Sequence, residues 1–254
     1  MAEKISTKIN ENITLLQRSD GLVFGTDAYL LSCFVSGVRG GYAAELGSGT
    51  GVISLLLASR GRFEHIIGVD IQEEFCALGN ENAKANALSD KTEFICRDIK
   101  TLGRGDLGRE FDCVFCNPPY IESGSGKQND SAKKAVARHD TFGGIFEFAA
   151  CAARLLKFGK KFYCVYRPER LCDLIDAMRQ NNIEPKEIVF LHPDSDSAPS
   201  LVLALGTLGG KKGVIVRKPL VIYKDFEHKE YTDEMKQIYD KGEIRYDRTG
   251  KLLF

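Results

Sequence analysis

A short element, Asn117-Pro118-Pro119-Tyr120, offers hydrogen-bond acceptors beside an aromatic ring. The two prolines fix φ and carry no N–H, so carbonyl oxygens stay exposed where a predicted strand ends. Asn117 adds a side-chain carbonyl, and Tyr120 adds a ring that can stack on a planar substrate. Such acceptors can hold the N–H groups of an exocyclic amine or a carboxamide so that the nitrogen lone pair points at an electrophile. The element predicts chemistry on an amino nitrogen, with Asn117, Pro118, Pro119 and Tyr120 as the catalytic residues.

A glycine turn with a carboxylate in front of it occurs earlier in the chain. Residues 45–51 read Glu-Leu-Gly-Ser-Gly-Thr-Gly, between a predicted strand and a predicted helix. Gly47, Gly49 and Gly51 allow a tight turn and let a ligand lie against the backbone. A dinucleotide would place its pyrophosphate at the helix N-terminus, where Glu45 would repel it. Glu45 therefore favours a cofactor that carries an ammonium and a sulfonium, such as S-adenosyl-L-methionine.

Two further carboxylates follow at the ends of the next two predicted strands. Asp70 stands where a carboxylate can accept both hydroxyls of a ribose. Asp98 stands where it can accept the amino group of an adenine. The carboxyl ends of parallel strands form the ligand-binding edge of an open α/β sheet. Three carboxylates in register at that edge indicate a nucleoside-containing cofactor more than three unrelated helix caps.

Strands and helices alternate along the chain at the spacing of βαβ units, which predicts an α/β fold with a mostly parallel sheet. The predicted strands are 42–46, 65–69, 92–96, 111–116, 161–166, 187–191 and 200–206. The predicted helices are 28–38, with Asp27 as its N-cap, then 52–59, 73–86, 145–156, 171–180 and 232–239. We expect a leader and helix over residues 1–40, a core over 41–208 and a small C-terminal extension over 209–254, packed together as one domain.

The composition is sufficient for a core of this size and limits which kinds of partner the protein can have. Of the 254 residues, 43% are hydrophobic, and the 35 basic residues balance the 35 acidic ones. A nucleic-acid partner would therefore be met by a local patch and not by net charge. No stretch approaches the roughly 18 apolar residues of a membrane span. We expect a cytoplasmic protein with reduced, mostly buried cysteines, no membrane contact and no metal.

Together these motifs resemble the amino-group methyltransferases that carry an N-P-P-Y motif. Residues 24–31, Phe-Gly-Thr-Asp-Ala-Tyr-Leu-Leu, further resemble the leader of the bacterial tRNA1(Val) adenine-37 N6-methyltransferases, and residues 220–223 and 231–232 are similar too. The resemblance implies a Rossmann-like sheet of seven strands, the last antiparallel, with helices on both faces. It also implies S-adenosyl-L-methionine as methyl donor and, as substrate, the N6 of the adenine next to the anticodon of valine tRNA. The cofactor site that it implies comprises Thr26, Asp27, Glu45, Gly47, Gly49, Gly51, Asp70, Ile71, Asp98, Ile99 and Asn117.

Basic residues near the motif and near the C-terminus are candidates for holding the phosphates of a tRNA. They are Lys127, Lys133, Lys134, Arg138, Lys211 and Lys212. The first four lie in a long polar loop, 122–140. The oligomeric state is left open between a monomer and a weak dimer.

Other functions use some of the same features. A protein glutamine N5-methyltransferase of the release-factor type shares the Asn117–Tyr120 chemistry, but such enzymes usually have a longer helical domain before the glycine turn. An rRNA or DNA amino-methyltransferase also fits the motif, although the chain leaves little room for a DNA-recognition domain. A nicotinamide-dependent oxidoreductase would have no role for Asn117–Tyr120. A non-catalytic cofactor-binding protein would not need Asn117 and Tyr120 together.

Overall fold

The computed structural model describes residues 4–18, 25–119, 144–247, 250 and 252–253, in which a nine-stranded sheet is the main element. Two strands form a separate N-terminal hairpin, β1 (Lys4–Lys8) and β2 (Thr14–Arg18). The strands of the sheet are β3 (Tyr42–Leu46), β4 (His65–Asp70), β5 (Thr92–Cys96), β6 (Phe111–Cys116), β7 (Leu156–Tyr166), β8 (Ile183–His192), β9 (Leu201–Leu208), β10 (Ile215–Val216) and β11 (Leu220–Val221). A last pair, β12 (Arg245–Tyr246) and β13 (Leu252–Leu253), is antiparallel.

The order of the long strands is β8-β9-β7-β6-β3-β4-β5. All of them run parallel except β9, which is antiparallel to both β7 and β8. The short strands β10 and β11 pair in parallel with the outer side of β8 and extend the sheet there. The expected fold class, a seven-stranded sheet whose last strand is antiparallel, is confirmed.

Helices cover both faces of the sheet. They are α1 (Thr26–Phe34), α2 (Val52–Ser59), α3 (Glu73–Ala85), α4 (Ile145–Leu155), α5 (Leu171–Gln180) and α6 (Asp233–Lys241). Buried residues of α1, α2, α3 and α6 share one apolar cluster, and those of α4 and α5 share a second. Along β6, Cys113 and Phe115 face the first cluster while Val114 and Cys116 face the second, as expected of a strand buried on both sides. Among the described helices, none is long and apolar enough to cross a membrane.

Both predicted ends of the first helix are wrong, since α1 ends at Phe34 and not at residue 38. We expected Asp27 to cap the first helix, but α1 begins at Thr26 and its N-cap is Gly25. Asp27 lies inside the first turn, where a carboxylate still complements the helix dipole. Its side chain reaches beyond the helix and accepts a hydrogen bond from Asn117.

The N-terminal hairpin is held by two asparagines of α3, at positions 82 and 86. Asn82 pairs with both backbone groups of Leu16, and Asn86 does the same with Thr14, at 2.7–3.1 Å. Residues four apart share one face of a helix, so the two side chains act as a strand edge for β2. Asn82 also donates to the carbonyl of Thr50 in the glycine turn. The hairpin is thus tied to the turn, although the sequence predicted no strands there.

The C-terminal segment packs on the face that carries α1. Met235 and Ile238 of α6 are buried in the same cluster as α1 and α2. The ring of Tyr239 stacks on that of Tyr29 with centroids 4.5 Å apart, and the Tyr29 hydroxyl donates to the Tyr239 carbonyl. The extension therefore contributes to the placement of α1.

All eight cysteines lie in the described residues and are free. Six of them are buried, Cys96 is half-buried and Cys172 is exposed. The buried ones occupy the apolar clusters, as small hydrophobic side chains do.

Candidate functional site

Four parallel strands, β3, β4, β5 and β6, end at the same edge of the sheet, which we term the site edge. Leu46 of β3 pairs with Val69 of β4 and with Cys116 of β6, and Asp70 of β4 pairs with Cys96 of β5. The chain therefore leaves the sheet at neighbouring points after each of these residues. This register brings together the glycine turn, Asp70, the segment with Asp98, and Asn117.

The glycine turn is a compact backbone structure that connects β3 to α2. The N–H groups of Gly47 and Ser48 both donate to the carbonyl of Val69, at 2.8 and 3.0 Å, and the N–H of Gly51 donates to the carbonyl of Ser48. Gly47, Gly49 and Gly51 have φ of +67°, +52° and +85°, in the left-handed region that favours glycine. The backbone conformation thus explains why the turn has glycine at these three positions, as the sequence predicted.

Phe94 of β5 supports the turn from below, and the sequence did not single it out. A Cβ built at Gly51, Gly68 or Gly79 would lie 2.3–2.6 Å from atoms of its ring. Phe94 is 3% exposed, so the ring fills the space that these three glycines leave. The side-chain amide of Asn80 donates to the carbonyl of Phe94 and accepts from its N–H. The glycine pattern therefore serves packing around Phe94 as well as ligand approach.

The space beside the turn suits a ligand. A Cβ built at Gly49 meets no atom of the described residues within 4 Å. The hydroxyl of Ser48 is buried and has no hydrogen-bond partner in the described part of the chain. A buried polar atom without a partner is costly, so a ligand at this turn would satisfy a group that the protein leaves unpaired.

Glu45 lies one residue before the end of β3 and is 1% exposed. Its Oε2 accepts hydrogen bonds from the backbone N of Ser54, at 3.1 Å, and from the Ser54 hydroxyl. Burial raises the pKa of this carboxyl to about 8, although the bonds from Ser54 act in the opposite direction. Glu45 thus links the end of β3 to the first turn of α2. The sequence did not predict this structural role.

Asp70 is also buried and contacts the turn directly. Its Oδ2 accepts from the N–H of Gly49 at 2.9 Å, and its Oδ1 accepts from the N–H of Gln72 at 2.9 Å. Burial raises the pKa of Asp70, while these backbone bonds lower it. Ile71 follows, half-buried, at the site edge. Both residues lie where the sequence placed them.

Asp98 lies two residues beyond the end of β5, slightly further from the strand than expected. It starts a turn in which its side chain accepts from the N–H of Lys100, and Ile99 is buried beneath it. Arg154 of α4 holds this turn. Its guanidinium donates to the carbonyls of Ile99 and Leu102 at 2.6 and 2.9 Å. No local pattern marks Arg154, because the contact joins positions 55 residues apart.

Asn117 leaves β6 at the site edge and is half-buried, with Pro118 buried and Pro119 exposed after it. Its Nδ2 donates to Oδ2 of Asp27 at 3.0 Å. Thr26 and Asp27, which were predicted from the leader as cofactor residues, therefore lie beside the predicted catalytic element. Tyr120, the remaining predicted catalytic residue, lies outside the described residues.

The predicted RNA contacts separate into two groups. Lys127, Lys133, Lys134 and Arg138 lie outside the described residues. Lys211 and Lys212 follow β9, which starts at the site edge and runs away from it for eight residues, about 25 Å. They are exposed beyond the opposite edge of the sheet. We therefore do not expect these two lysines to contact RNA that is bound at the site edge.

Within the described part of the chain, no group of three His, Cys, Asp or Glu side chains is arranged to hold a metal ion.

Comparisons with known proteins show that the chain is similar to methyltransferases. Residues 43–144 match a family model described as a methyltransferase domain. A protein of Shewanella halifaxensis named tRNA1(Val) (adenine(37)-N6)-methyltransferase is 30% identical over 119 residues, 47% of this chain and 47% of that protein. A protein of the same name from Phocaeicola vulgatus is 28% identical over 218 residues, 85% of this chain and 89% of that protein. The match thus spans about half the length of the first relative and most of the second. These relatives confirm the resemblance found in the sequence.

Solved structures share the fold. A predicted O-methyltransferase from Agrobacterium tumefaciens has a TM-score of 0.70 at 20% identity, covering 88% of this chain and 99% of that one. A geranyl diphosphate C-methyltransferase from Streptomyces coelicolor, in a complex that includes S-adenosyl-L-homocysteine, has a TM-score of 0.52 at 13% identity, covering 72% of this chain and 78% of that one. At these identities the likeness concerns the fold.

Proposed function

We propose that this chain, a methyltransferase-domain protein related in sequence to the tRNA1(Val) (adenine(37)-N6)-methyltransferases, transfers a methyl group from S-adenosyl-L-methionine to the N6 of an adenine in tRNA. One observation carries the proposal. Leu46 and Cys116 are paired neighbours, so the glycine turn and Asn117 leave adjacent strands, about 4.8 Å apart. A cofactor at the turn would lie next to a substrate nitrogen at Asn117.

The cofactor assignment is supported by the residues around the turn. Gly49 leaves room beside its backbone, and Ser48 offers a buried hydroxyl that needs a partner. Asp70 and Asp98 leave neighbouring strands at the same edge, where we assign them the ribose hydroxyls and the adenine amino group. Thr26, Ile71 and Ile99 complete the proposed site. The Streptomyces relative in fold was solved with the demethylated product of this cofactor.

The chemistry then divides between cofactor and protein. S-adenosyl-L-methionine supplies an electrophilic methyl group, and transfer forms an N–C bond as the C–S bond breaks with its electron pair left on sulfur. Asn117 and the Pro118 carbonyl accept the two N–H groups of the substrate amine, which turns its lone pair towards the methyl group. No strong base is needed in this step, because the nitrogen becomes acidic only after it gains the methyl group and can then release its proton to water.

The substrate assignment rests on the names of the relatives and on the motif. Asn117 and the two prolines suit an amino nitrogen on a planar group, which adenine and a glutamine side chain both provide. A loop base in RNA is already partly unstacked, so turning it into the site costs less than flipping a base from a duplex. We therefore propose that tRNA is the partner. Because tRNA is found in the cytoplasm, we also propose that the protein acts there.

The test is methylation of defined substrates. The purified protein is incubated with methyl-labelled cofactor and, separately, with total tRNA, a release factor and duplex DNA. We expect label in tRNA, found as N6-methyladenosine after digestion and mass spectrometry, and none with Asn117→Ala. Label in the release factor and not in tRNA would overturn the substrate and leave methyl transfer to a glutamine. No label in any of the three would overturn the proposed function.

A further inference from the structure

The predicted catalytic asparagine is hydrogen-bonded to the helix that precedes the core. Nδ2 of Asn117 lies 3.0 Å from Oδ2 of Asp27, and the two residues are 90 positions apart in the chain. Because the amide nitrogen is directed at this carboxylate, the group that Asn117 turns to a substrate is its carbonyl oxygen. An amide rotated by 180° would present N–H donors instead, and these would oppose a substrate amine.

A carboxylate suits position 27 better than any other side chain of its size. Oδ1 of Asp27 accepts from the N–H of Ala28 at 2.8 Å while Oδ2 accepts from Asn117. An asparagine at position 27 would have one acceptor and one donor for these two partners. Either the N–H of Ala28 or the NH₂ of Asn117 would then face another donor and lose its hydrogen bond.

Neighbouring residues keep Asp27 in this position. A Cβ built at Gly25 would lie 2.5 Å from Oδ1 of Asp27, so only glycine at position 25 leaves the carboxylate where it is. Helix α1 is itself held in place, since the ring of Tyr29 stacks on that of Tyr239 and also contacts the guanidinium of Arg60. Gly25 thus leaves room for the carboxylate, and the contacts of Tyr29 fix the helix that carries it.

We propose that Asp27 is a positioning residue, whose carboxylate fixes the rotation of the Asn117 amide so that its carbonyl oxygen accepts from the substrate. This inference rests on the proposed function. It assigns Asp27 to the catalytic element and not to cofactor affinity, in contrast to the cofactor role that the resemblance implied.

The test combines kinetics with a signal from the amide itself. The variants are Asp27→Asn, Asp27→Ala, Asn117→Ala and the double variant Asp27→Ala/Asn117→Ala. Single-turnover methyl transfer to tRNA, cofactor affinity by calorimetry, and the side-chain NH₂ signal of Asn117 in a ¹⁵N NMR spectrum are measured for each. The signal is assigned by its loss in Asn117→Ala. Asp233→Ala is the matched control, because Asp233 is also a first-turn carboxylate, on α6.

We expect Asp27→Asn and Asp27→Ala to lower the transfer rate about tenfold or more, with cofactor affinity within about twofold of the wild type. In the double variant the loss should equal that of Asn117→Ala alone, because Asp27 acts through Asn117. The Asn117 NH₂ signal should shift in both Asp27 variants. Gly25→Ala, which displaces the carboxylate while keeping it, should resemble Asp27→Asn. Asp233→Ala should leave rate and signal unchanged.

Three outcomes would overturn the inference. Weaker cofactor binding that accounts for the whole loss of rate would make Asp27 a cofactor ligand. Additive losses in the double variant would show that Asp27 acts independently of Asn117. An unshifted NH₂ signal would show that the hydrogen bond is absent. A wild type that labels no tRNA would instead refute the proposed function, and the NH₂ signal would still decide for or against the orientation of Asn117.

Discussion

The carboxyl group of Glu45 accepts two hydrogen bonds from a single residue, Ser54, whose backbone N and hydroxyl both donate to Oε2. Glu45 stands near the end of β3 and Ser54 in the first turns of α2, so the pair spans the glycine turn from beneath. The carboxyl is 1% exposed, and burial raises its pKa to about 8 from the ordinary 4.5. The turn is therefore linked to a group that titrates near neutral pH.

This link predicts a pH dependence of stability. Between about pH 4.5 and pH 8 the folded protein keeps a proton on Glu45 that the unfolded chain releases. Its contribution to the free energy of unfolding therefore falls as pH rises through this window. Glu45→Gln, which cannot ionise, should lose less stability than the wild type over that rise, by at least about 1 kcal/mol.

Urea unfolding of both proteins across the pH range measures the difference. Glu93→Gln, which removes an exposed carboxylate on β5, serves as the control and should follow the wild type. Parallel curves for the wild type and Glu45→Gln would mean that Glu45 is ionised in the folded protein as in the unfolded chain throughout this window, and that burial does not raise its pKa.

Replacement of Asp70 tests the cofactor site. We predict that Asp70→Ala weakens S-adenosyl-L-methionine binding by roughly 1.5–3 kcal/mol, the scale of a charged hydrogen bond. The loss combines the proposed ribose contact with the bond to Gly49 that shapes the turn. Calorimetry gives the affinity, and a melting curve shows that the variant is folded.

Asp112→Asn is the matched control for Asp70→Ala. Asp112 is a carboxylate near the start of β6, paired with Lys157 and Lys160 away from the site edge. Its loss should lower stability and leave cofactor affinity unchanged. An unaltered affinity in a folded Asp70→Ala protein would remove Asp70 from the site.

Local patterns in the sequence were sufficient for much of the fold. Strands β3, β5 and β6 and helices α2 and α5 begin and end where predicted, because each is a compact apolar segment with clear breaks. β7 begins at Leu156 and not at 161, because its residues 157–161 are exposed or half-buried and form no apolar segment. Short strands such as β10 exist only through their pairing with β8, which no local pattern records.

The site divides in the same way. The strand-end carboxylates and glycines were visible because their spacing follows the βαβ repeat. The contacts of Phe94, Arg154 and Asp27 were not visible, because each joins segments that meet only in the folded chain. The position of Lys211 and Lys212 beyond the far edge was not visible either, because a basic cluster in a sequence carries no information on the direction of the strand before it.

Packing around Phe94 predicts an unusual effect at position 79. Within helix α3 alanine is ordinarily favoured over glycine by about 1 kcal/mol. A Cβ at Gly79 would lie 2.6 Å from the ring of Phe94, so Gly79→Ala should instead destabilise the protein, by about 1–3 kcal/mol. In the double variant with Phe94→Leu the cost should be smaller than the sum of the two single costs.

Chemical denaturation of the wild type, the two single variants and the double variant gives this coupling. Gly105→Ala is the control, because a Cβ there meets nothing within 4 Å among the described residues, and it should be close to neutral. Gly79→Ala that raises stability would mean that Phe94 does not fill this space.

The salt dependence of tRNA binding tests where the RNA lies. If phosphate contacts dominate, affinity falls with salt, and each lost contact makes the slope of log K against log salt less negative by about one. We predict that replacing both Lys133 and Lys134 by Ala flattens the slope by up to about two.

Lys211 and Lys212, replaced together, form the matched control. They are another adjacent lysine pair with the same charge, but they lie beyond the edge of the sheet opposite Asn117, so their loss should leave the slope unchanged. Fluorescence anisotropy with labelled tRNA over a range of salt concentrations gives both slopes. The reverse result, with only the second pair flattening the slope, would mean that the RNA runs over the far edge of the sheet and that the lysines of the 122–140 loop do not bind it.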